Sequence, residues 1–236
     1  PDVMKSYSAY MKQRIPQITT IVNTINSRKA QVAYGDKETV CLGPGFIRER
    51  IGQFTFNISA ASFFQTNTQQ AERLYEAAQA AAELKPGDLV YDLYSGTGTI
   101  AIFISTSARE VVGVESSSSA IKDAERNATQ NGVRNCIFIE GDLKDKLTKD
   151  TAWLQAHTNP DVVIADPPRS GMHAKVCEEI ARLAPSRIVY VSCNPATQAR
   201  DVKLLCERNY RLMQIQPVDM FPHTYHVENI ALLHRN

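Results

Sequence analysis

Between residues 89 and 234 the chain alternates short apolar runs with helix-patterned segments, and this alternation limits its fold more than any other feature. The runs at 89–94, 111–115, 136–140, 162–166, 188–193, 211–217 and 229–234 are rich in Val, Ile, Leu and aromatic residues, and read as strands. Helical patterns fall at about 99–107, 117–131, 174–183 and 197–207, while the segment 143–158 is left open. Such an order predicts an α/β fold: a doubly wound, mostly parallel sheet of seven strands covered on both faces. The last two strands have no helix between them and are expected to pair antiparallel at an edge.

Residues 1–66 read differently. Alternating segments at 19–25, 31–34 and 53–58, separated by Gly35-Asp36 and Gly43-Pro44-Gly45, suggest short antiparallel strands with turns. We therefore expect two parts: a partial β-rich domain over 1–66 and a larger domain over 67–236. Asn67 or Thr68 caps a helix that runs to about Leu84, and Lys85-Pro86-Gly87-Asp88 stops it. With 236 residues, 43% of them hydrophobic, the chain can bury one sizeable core and a smaller appendage. No run reaches membrane-spanning length and no signal peptide is visible, so a soluble protein is expected. Five widely spaced cysteines without a Cys-x-x-Cys pair argue against a disulfide framework or zinc site and for a reducing cytoplasm. A chain that starts at Pro1 reads as a fragment or a processed product, and a monomer is expected. Net charge is only +1, but residues 1–50 hold eight Lys/Arg against four Asp/Glu. That excess suits contact with an RNA backbone, and a solvated surface accounts for it equally well.

The turn after the first strand of the larger part reads Asp92-Leu93-Tyr94-Ser95-Gly96-Thr97-Gly98-Thr99-Ile100-Ala101. Gly96 and Gly98 let the backbone turn tightly and approach a ligand, with free N–H groups at the helix start beyond. Glu115 ends the second strand nineteen residues after Gly96, where a carboxylate can accept the hydroxyl hydrogens of a ribose. The pattern signals a nucleoside cofactor without choosing one, since Gly96-x-Gly98-x-x-Ala101 also fits a dinucleotide fingerprint. Asp142, past the third strand, is placed to reach the base of such a cofactor or to serve as a plain turn residue. Asp166-Pro167-Pro168-Arg169 ends the fourth strand, its prolines stiffening a loop that carries a carboxylate and a guanidinium.

In Arg187-Ile188-Val189-Tyr190-Val191-Ser192-Cys193-Asn194-Pro195 a buried strand stops before Pro195, which cannot continue a central strand. Cys193 thus sits at a carboxyl strand end, where open α/β sheets bind ligands. A free cysteine is more often a small hydrophobe, but the Asp-Pro-Pro-Arg loop on a neighbouring strand end favours chemistry. Near the end, Asp219 to Glu228 forms a polar, aromatic loop entering the last strand. His223-x-x-His226 lacks further ligands at a familiar metal spacing, so no metal is expected, and Glu228 is a candidate base.

Taken in order, Phe63-Phe64-Gln65-Thr66-Asn67, Asp92 to Gly98, Asp166 to Arg169, Ser192-Cys193-Asn194-Pro195 and Phe221 to Glu228 resemble the RNA uracil-5-methyltransferase family. The resemblance covers roughly residues 50–236, and its Ser-Cys-Asn-Pro and His-Val-Glu elements are far more specific than the glycine turn. It implies a class I, Rossmann-like methyltransferase fold and S-adenosylmethionine as cofactor. The implied product is 5-methyluridine in RNA, with 23S ribosomal RNA the first expectation and transfer RNA the alternative. It also implies cofactor contacts from Gln65, Tyr94, Glu115 and Asp166, Cys193 as nucleophile and Glu228 as proton acceptor. Thr99 departs from an asparagine found there in some members. Members usually carry a further N-terminal RNA-binding domain, and some an iron–sulfur cluster.

These residue types suit that chemistry. Uracil C5 is a weak nucleophile until a thiolate adds to C6 and turns the ring into an enolate. After methylation the C5 hydrogen must leave as a proton, which requires a positioned base. Arg169 is a candidate to favour the Cys193 thiolate. The target base must be unstacked or flipped out, with Phe63, Tyr225 and His226 as candidates to receive it. Two other readings compete: a nicotinamide-dependent oxidoreductase, which leaves Cys193 and Glu228 unused, and a non-catalytic RNA-binding factor that retains the cofactor site.

Overall fold

The computed structural model describes residues 2–27, 37–148 and 159–236. The segment expected at 31–34, the Gly35-Asp36 turn and most of the open stretch 143–158 lie outside them. In chain order the elements are α1 (Asp2–Arg14), β1 (Ile21–Ile25), β2 (Lys37–Leu42), β3 (Phe46–Ile51), β4 (Phe54–Ser59), α2 (Thr68–Ala82) and β5 (Leu89–Leu93). They continue as α3 (Thr99–Ile104), β6 (Glu110–Glu115), α4 (Ser118–Gln130), β7 (Cys136–Glu140), α5 (Leu143–Thr148) and β8 (Val162–Ala165). The last are α6 (Ala174–Leu183), β9 (Arg187–Ser192), α7 (Pro195–Cys206), β10 (Tyr210–Val218) and β11 (Glu228–Arg235).

Seven strands form one sheet in the order β10-β11-β9-β8-β5-β6-β7. The five from β7 to β9 run parallel, whereas β11 is antiparallel to both neighbours. The final pair is therefore antiparallel as expected, with β11 drawn inward between β9 and β10. Of the parallel strands, β5, β6, β8 and β9 are short, nearly continuous apolar runs because helices bury both of their faces, whereas β7 at the edge leaves Ile137 exposed. One core lies against α2, α3 and α4 and includes Leu74, Ile102 and Ile164; the other, with Tyr91, Ile180 and Tyr190, lies against α5, α6 and α7. From β5 the chain winds one way through β6 and β7, then the other way through β8 and β9. The crevice at that reversal, outside the carboxyl ends of the strands, is where such sheets bind ligands.

The first 66 residues hold β1–β2 and β3–β4, two antiparallel pairs, the second joined to β2 through the expected turn at Gly43-Pro44-Gly45. They also hold α1, a helix absent from the sequence expectation. Val3, Tyr7 and Tyr10 are exposed, so α1 lacks the strong apolar stripe by which a helix is usually recognised. Ile51, Phe54, Phe56 and Ile58 of β3–β4 join the core formed by α2 and the large sheet.

Candidate active site

Four strand ends converge on a cavity of about 520 Å³, whose lining includes Gln65, Tyr94, Gly96, Glu115, Asp166, Arg169, Cys193 and Glu228. Eight of the ten sequence-derived candidates thus share one cleft. Gly98 holds the turn behind it. Asp142 lines an adjoining cavity of about 180 Å³ that shares Tyr94, Glu115 and Ser116 with the first.

The glycine turn has two differently constrained glycines. Gly98 has φ +75°, and a Cβ there would lie 2.7 Å from the Phe138 ring, so packing and backbone both demand glycine. Gly96 has φ +53°, yet a Cβ would meet nothing within 4 Å: its approach side is open. Tyr94 holds φ +66° without glycine's freedom, a costly conformation of the kind found at ligand sites. Glu115 accepts from Gly96 N (3.2 Å), Ser117 N (2.8 Å) and the Ser116 hydroxyl (3.1 Å), which fixes its carboxylate beside the turn. An ionised carboxylate has about four acceptor positions, and Ser116 can turn to solvent, so about two remain available to ribose hydroxyls.

Buried polar atoms in the cleft wall lack partners. Ser95 and Thr97 line the cavity, but their hydroxyl oxygens are turned away from solvent and lack a hydrogen-bond partner among the described residues, as does Asp92 Oδ1. Such groups are costly unless something fills them. Asp92 uses its other oxygen to accept from Ala101 N at 3.0 Å, and burial pushes its pKa up to about 7. The open side of Gly96 and the fixed Glu115 carboxylate fit the ribose of a nucleoside.

On the other side of the sheet reversal, Asn229 pairs with Ser192, and the next step of this antiparallel register brings Glu228 alongside Cys193. Burial raises the Glu228 pKa, and burial with Glu228 and Asp92 nearby raises that of Asp166 well above the ordinary carboxylate value. The Cys193 thiol is also raised, first by burial and then by Glu228 and Asp166, while Arg169 opposes them. The expected help from Arg169 thus has the right sign, but without ligands the two carboxyls and burial outweigh it. Arg169 is held through its backbone: its carbonyl accepts from Asn194 Nδ2 (3.1 Å) and from Thr197 Oγ1 (3.3 Å).

Of the other cysteines, Cys177 is buried, Cys136 is packed against the core and Cys206 is exposed. Phe63 lines the cleft, 70% exposed. Tyr225 and His226 instead pack against each other, with ring centroids 4.3 Å apart and planes tilted by 40°, outside the lining of this cavity. No group of three or more His, Cys, Asp or Glu suited to a metal occurs among the described residues. Among those residues, too, no helix is long and apolar enough to cross a membrane. Sequence reasoning missed Tyr75, whose hydroxyl lies 3.1 Å from Thr99 Oγ1 in the cleft wall. On the apolar face of α2 it carries no signal beyond core packing.

The sequence matches the family described as tRNA (uracil-5-)-methyltransferase over residues 17–236. A Porphyromonas gingivalis protein described as an uncharacterized RNA methyltransferase is 50% identical over 230 residues, covering 97% of this chain and 49% of that protein. One from Chlorobaculum tepidum, with the same description, is 44% identical over 234 residues, covering 99% and 48%. The chain therefore spans about half the length of the curated relatives it matches. The crystal structure of Pyrococcus abyssi tRNA (uracil-54, C5)-methyltransferase in complex with S-adenosyl-L-homocysteine superimposes with a TM-score of 0.77 at 39% identity, covering 94% of this chain and 52% of that one. With the motif residues gathered at one cleft and the match extending over nearly its whole length, the chain belongs to the tRNA (uracil-5-)-methyltransferase family.

Proposed function

We propose that this chain is the catalytic part of an S-adenosylmethionine-dependent RNA methyltransferase that modifies C5 of a uridine through a covalent bond between Cys193 and C6. The observation that carries this reading is the register that sets Glu228 alongside Cys193 in the wall of the cleft that Glu115 and the glycine turn also line. When bound, the cofactor supplies a transferable methyl group on a positively charged sulfur. Glu115 would take its ribose hydroxyls and Gln65 its amino-acid end, while Asp142, in the adjoining cavity, would take the base. Asp166 and Glu228 supply negative charge for a cation.

The Cys193 thiolate adds to C6 of the flipped uracil, and the C5=C6 electrons move toward the C4 oxygen. C5 thereby becomes the nucleophile that accepts the methyl group. Glu228 then takes the C5 proton, the ring double bond re-forms and the Cys193–C6 bond breaks. A carboxylate whose pKa burial has raised is a stronger base than an exposed one, which suits this step. Cys193 ionises more readily once positive charge enters beside Asp166 and Glu228, since those two carboxyls oppose its thiolate in the free chain. Of the two RNA classes expected from the sequence, transfer RNA is supported by the Pyrococcus abyssi protein, whose substrate is transfer RNA.

The test is intact-mass measurement after mixing the protein with S-adenosylmethionine and 5-fluorouridine-containing RNA, run separately with transfer RNA and 23S ribosomal RNA. Fluorine cannot leave as a cation, so a methylated protein–RNA adduct is expected with the parent chain and none with Cys193→Ala. With ordinary RNA, Glu228→Gln is expected to accumulate the corresponding methylated adduct that still carries its C5 hydrogen. An adduct that persists in Cys193→Ala would remove the nucleophile, and normal turnover by Glu228→Gln would remove the base.

A further inference from the structure

The segment that carries Gln65 is anchored at both ends. Beyond it, Asn67 caps α2 through Gln70 N (3.2 Å) and donates from Nδ2 to the Met220 carbonyl (3.0 Å). Before it, the anchoring contacts converge on α4. Asp123, 3% exposed, accepts three hydrogen bonds on Oδ2 alone: from Ser59 N (3.1 Å), the Ser59 hydroxyl (2.6 Å) and the Ser62 hydroxyl (2.8 Å). One turn on, fully buried Asn127 accepts from Asn57 N (2.8 Å) and donates back to the Asn57 carbonyl (3.2 Å). Just past the helix end, Asn131 treats Thr55 the same way, at 2.9 and 2.7 Å.

The match is one of spacing. Four residues rise about 6.0 Å along a helix and two rise about 6.7 Å along a strand, so side chains at 123, 127 and 131 keep pace with backbone groups at 59, 57 and 55. Helix side chains thereby stand in for a neighbouring strand along the open edge of β4. Closing that edge does not by itself require contact with the cleft, yet the ladder makes two. Asp123 grips the root of the Gln65 segment, and Asn127 also donates to the Thr97 carbonyl, inside the glycine turn, at 3.4 Å.

We propose that Asp123 and Asn127 are positioning residues that hold the Gln65 segment in register with the glycine turn, so that cofactor binding depends on the grip of α4 on β4. This rests on the cofactor reading given above. The experiment is calorimetric binding of S-adenosylhomocysteine to the parent chain, Gln65→Ala, the pair Ser59→Ala/Ser62→Ala, and the triple variant, with thermal unfolding measured alongside. Removing two hydroxyls leaves the helix and buried Asn127 intact, so the serine variant is expected to fold. It should bind about tenfold more weakly, because a Gln65 segment released from Asp123 spends less time in the binding-competent position and must be ordered on binding. Gln65→Ala should then cost far less in the serine background than in the parent chain, because its segment is already out of place. Unchanged affinity in the serine variant, or strictly additive losses, would overturn the proposal. A parent chain that does not bind at all would overturn the cofactor reading and this inference with it, so the two failures are told apart.

Discussion

Asp92 shows what it costs to end a buried strand at a binding cleft. It is fully buried with one oxygen unsatisfied, and burial carries its pKa from an ordinary 3.8 to about 7. Between those values the folded chain keeps a proton that the unfolded chain has released. Asp92 therefore favours the folded state most at low pH, and stability is lost as pH rises through about 7, by up to roughly 4 kcal/mol. Asp92→Asn keeps an acceptor for the Ala101 N–H and never ionises. We expect its melting temperature to fall less between pH 5 and pH 8 than that of the parent chain, measured without ligand; an equal fall would remove Asp92 as the source. The site residues legible in the sequence were those at strand ends: Glu115, Asp166, Cys193 and Glu228. Tyr75, Ser95 and Thr97 were not, because they reach the cleft by packing or by a local turn.

Among elements, the pair β9 and β11 matters most, since one leads into Cys193 and the other begins at Glu228. Gln198 of α7 spans them: its Nε2 donates to the Tyr190 carbonyl (2.8 Å) and the Asn229 carbonyl (3.0 Å), and its Oε1 accepts from Asn229 Nδ2. At 3% exposure these groups have little access to water. Gln198→Leu strands the Asn229 side chain, and a buried polar group without a partner costs about 1–3 kcal/mol. The denaturant midpoint should fall accordingly, and adduct formation with 5-fluorouridine RNA should slow; an unchanged midpoint would show that Gln198 contributes nothing. Strand 136–140 and helix 174–183 lie where their patterns place them, because periodicity and length both point one way. Helix α1 and the ladder from α4 were hidden, the first for want of an apolar stripe. The second was hidden because Asp123, Asn127 and Asn131 read as ordinary polar positions on a solvated face.

At the scale of the whole molecule, the division proposed at residue 66 separates parts that share a core. Ile51, Phe54, Phe56 and Ile58 are buried with residues of α2 and the large sheet. Burying a large apolar side chain contributes about 1.5–3 kcal/mol. A chain starting at residue 67 is therefore expected to melt well below one starting at residue 45, and equal melting temperatures would make 66 an independent boundary. The alternation of strands and helices made the large sheet legible, but this shared core was not, since no local pattern tells a hairpin which surface it will cover. The strand order also has a consequence in time. β11 comes later in the sequence than every other strand of the sheet, and β10 reaches the sheet only through it. During synthesis Cys193 is thus made before Glu228, the base that on the proposed mechanism would release its product. On that mechanism a nascent chain that closed on RNA before β11 docked would form a bond it could not break, so docking of the last strand would set the moment at which the site becomes safe to use.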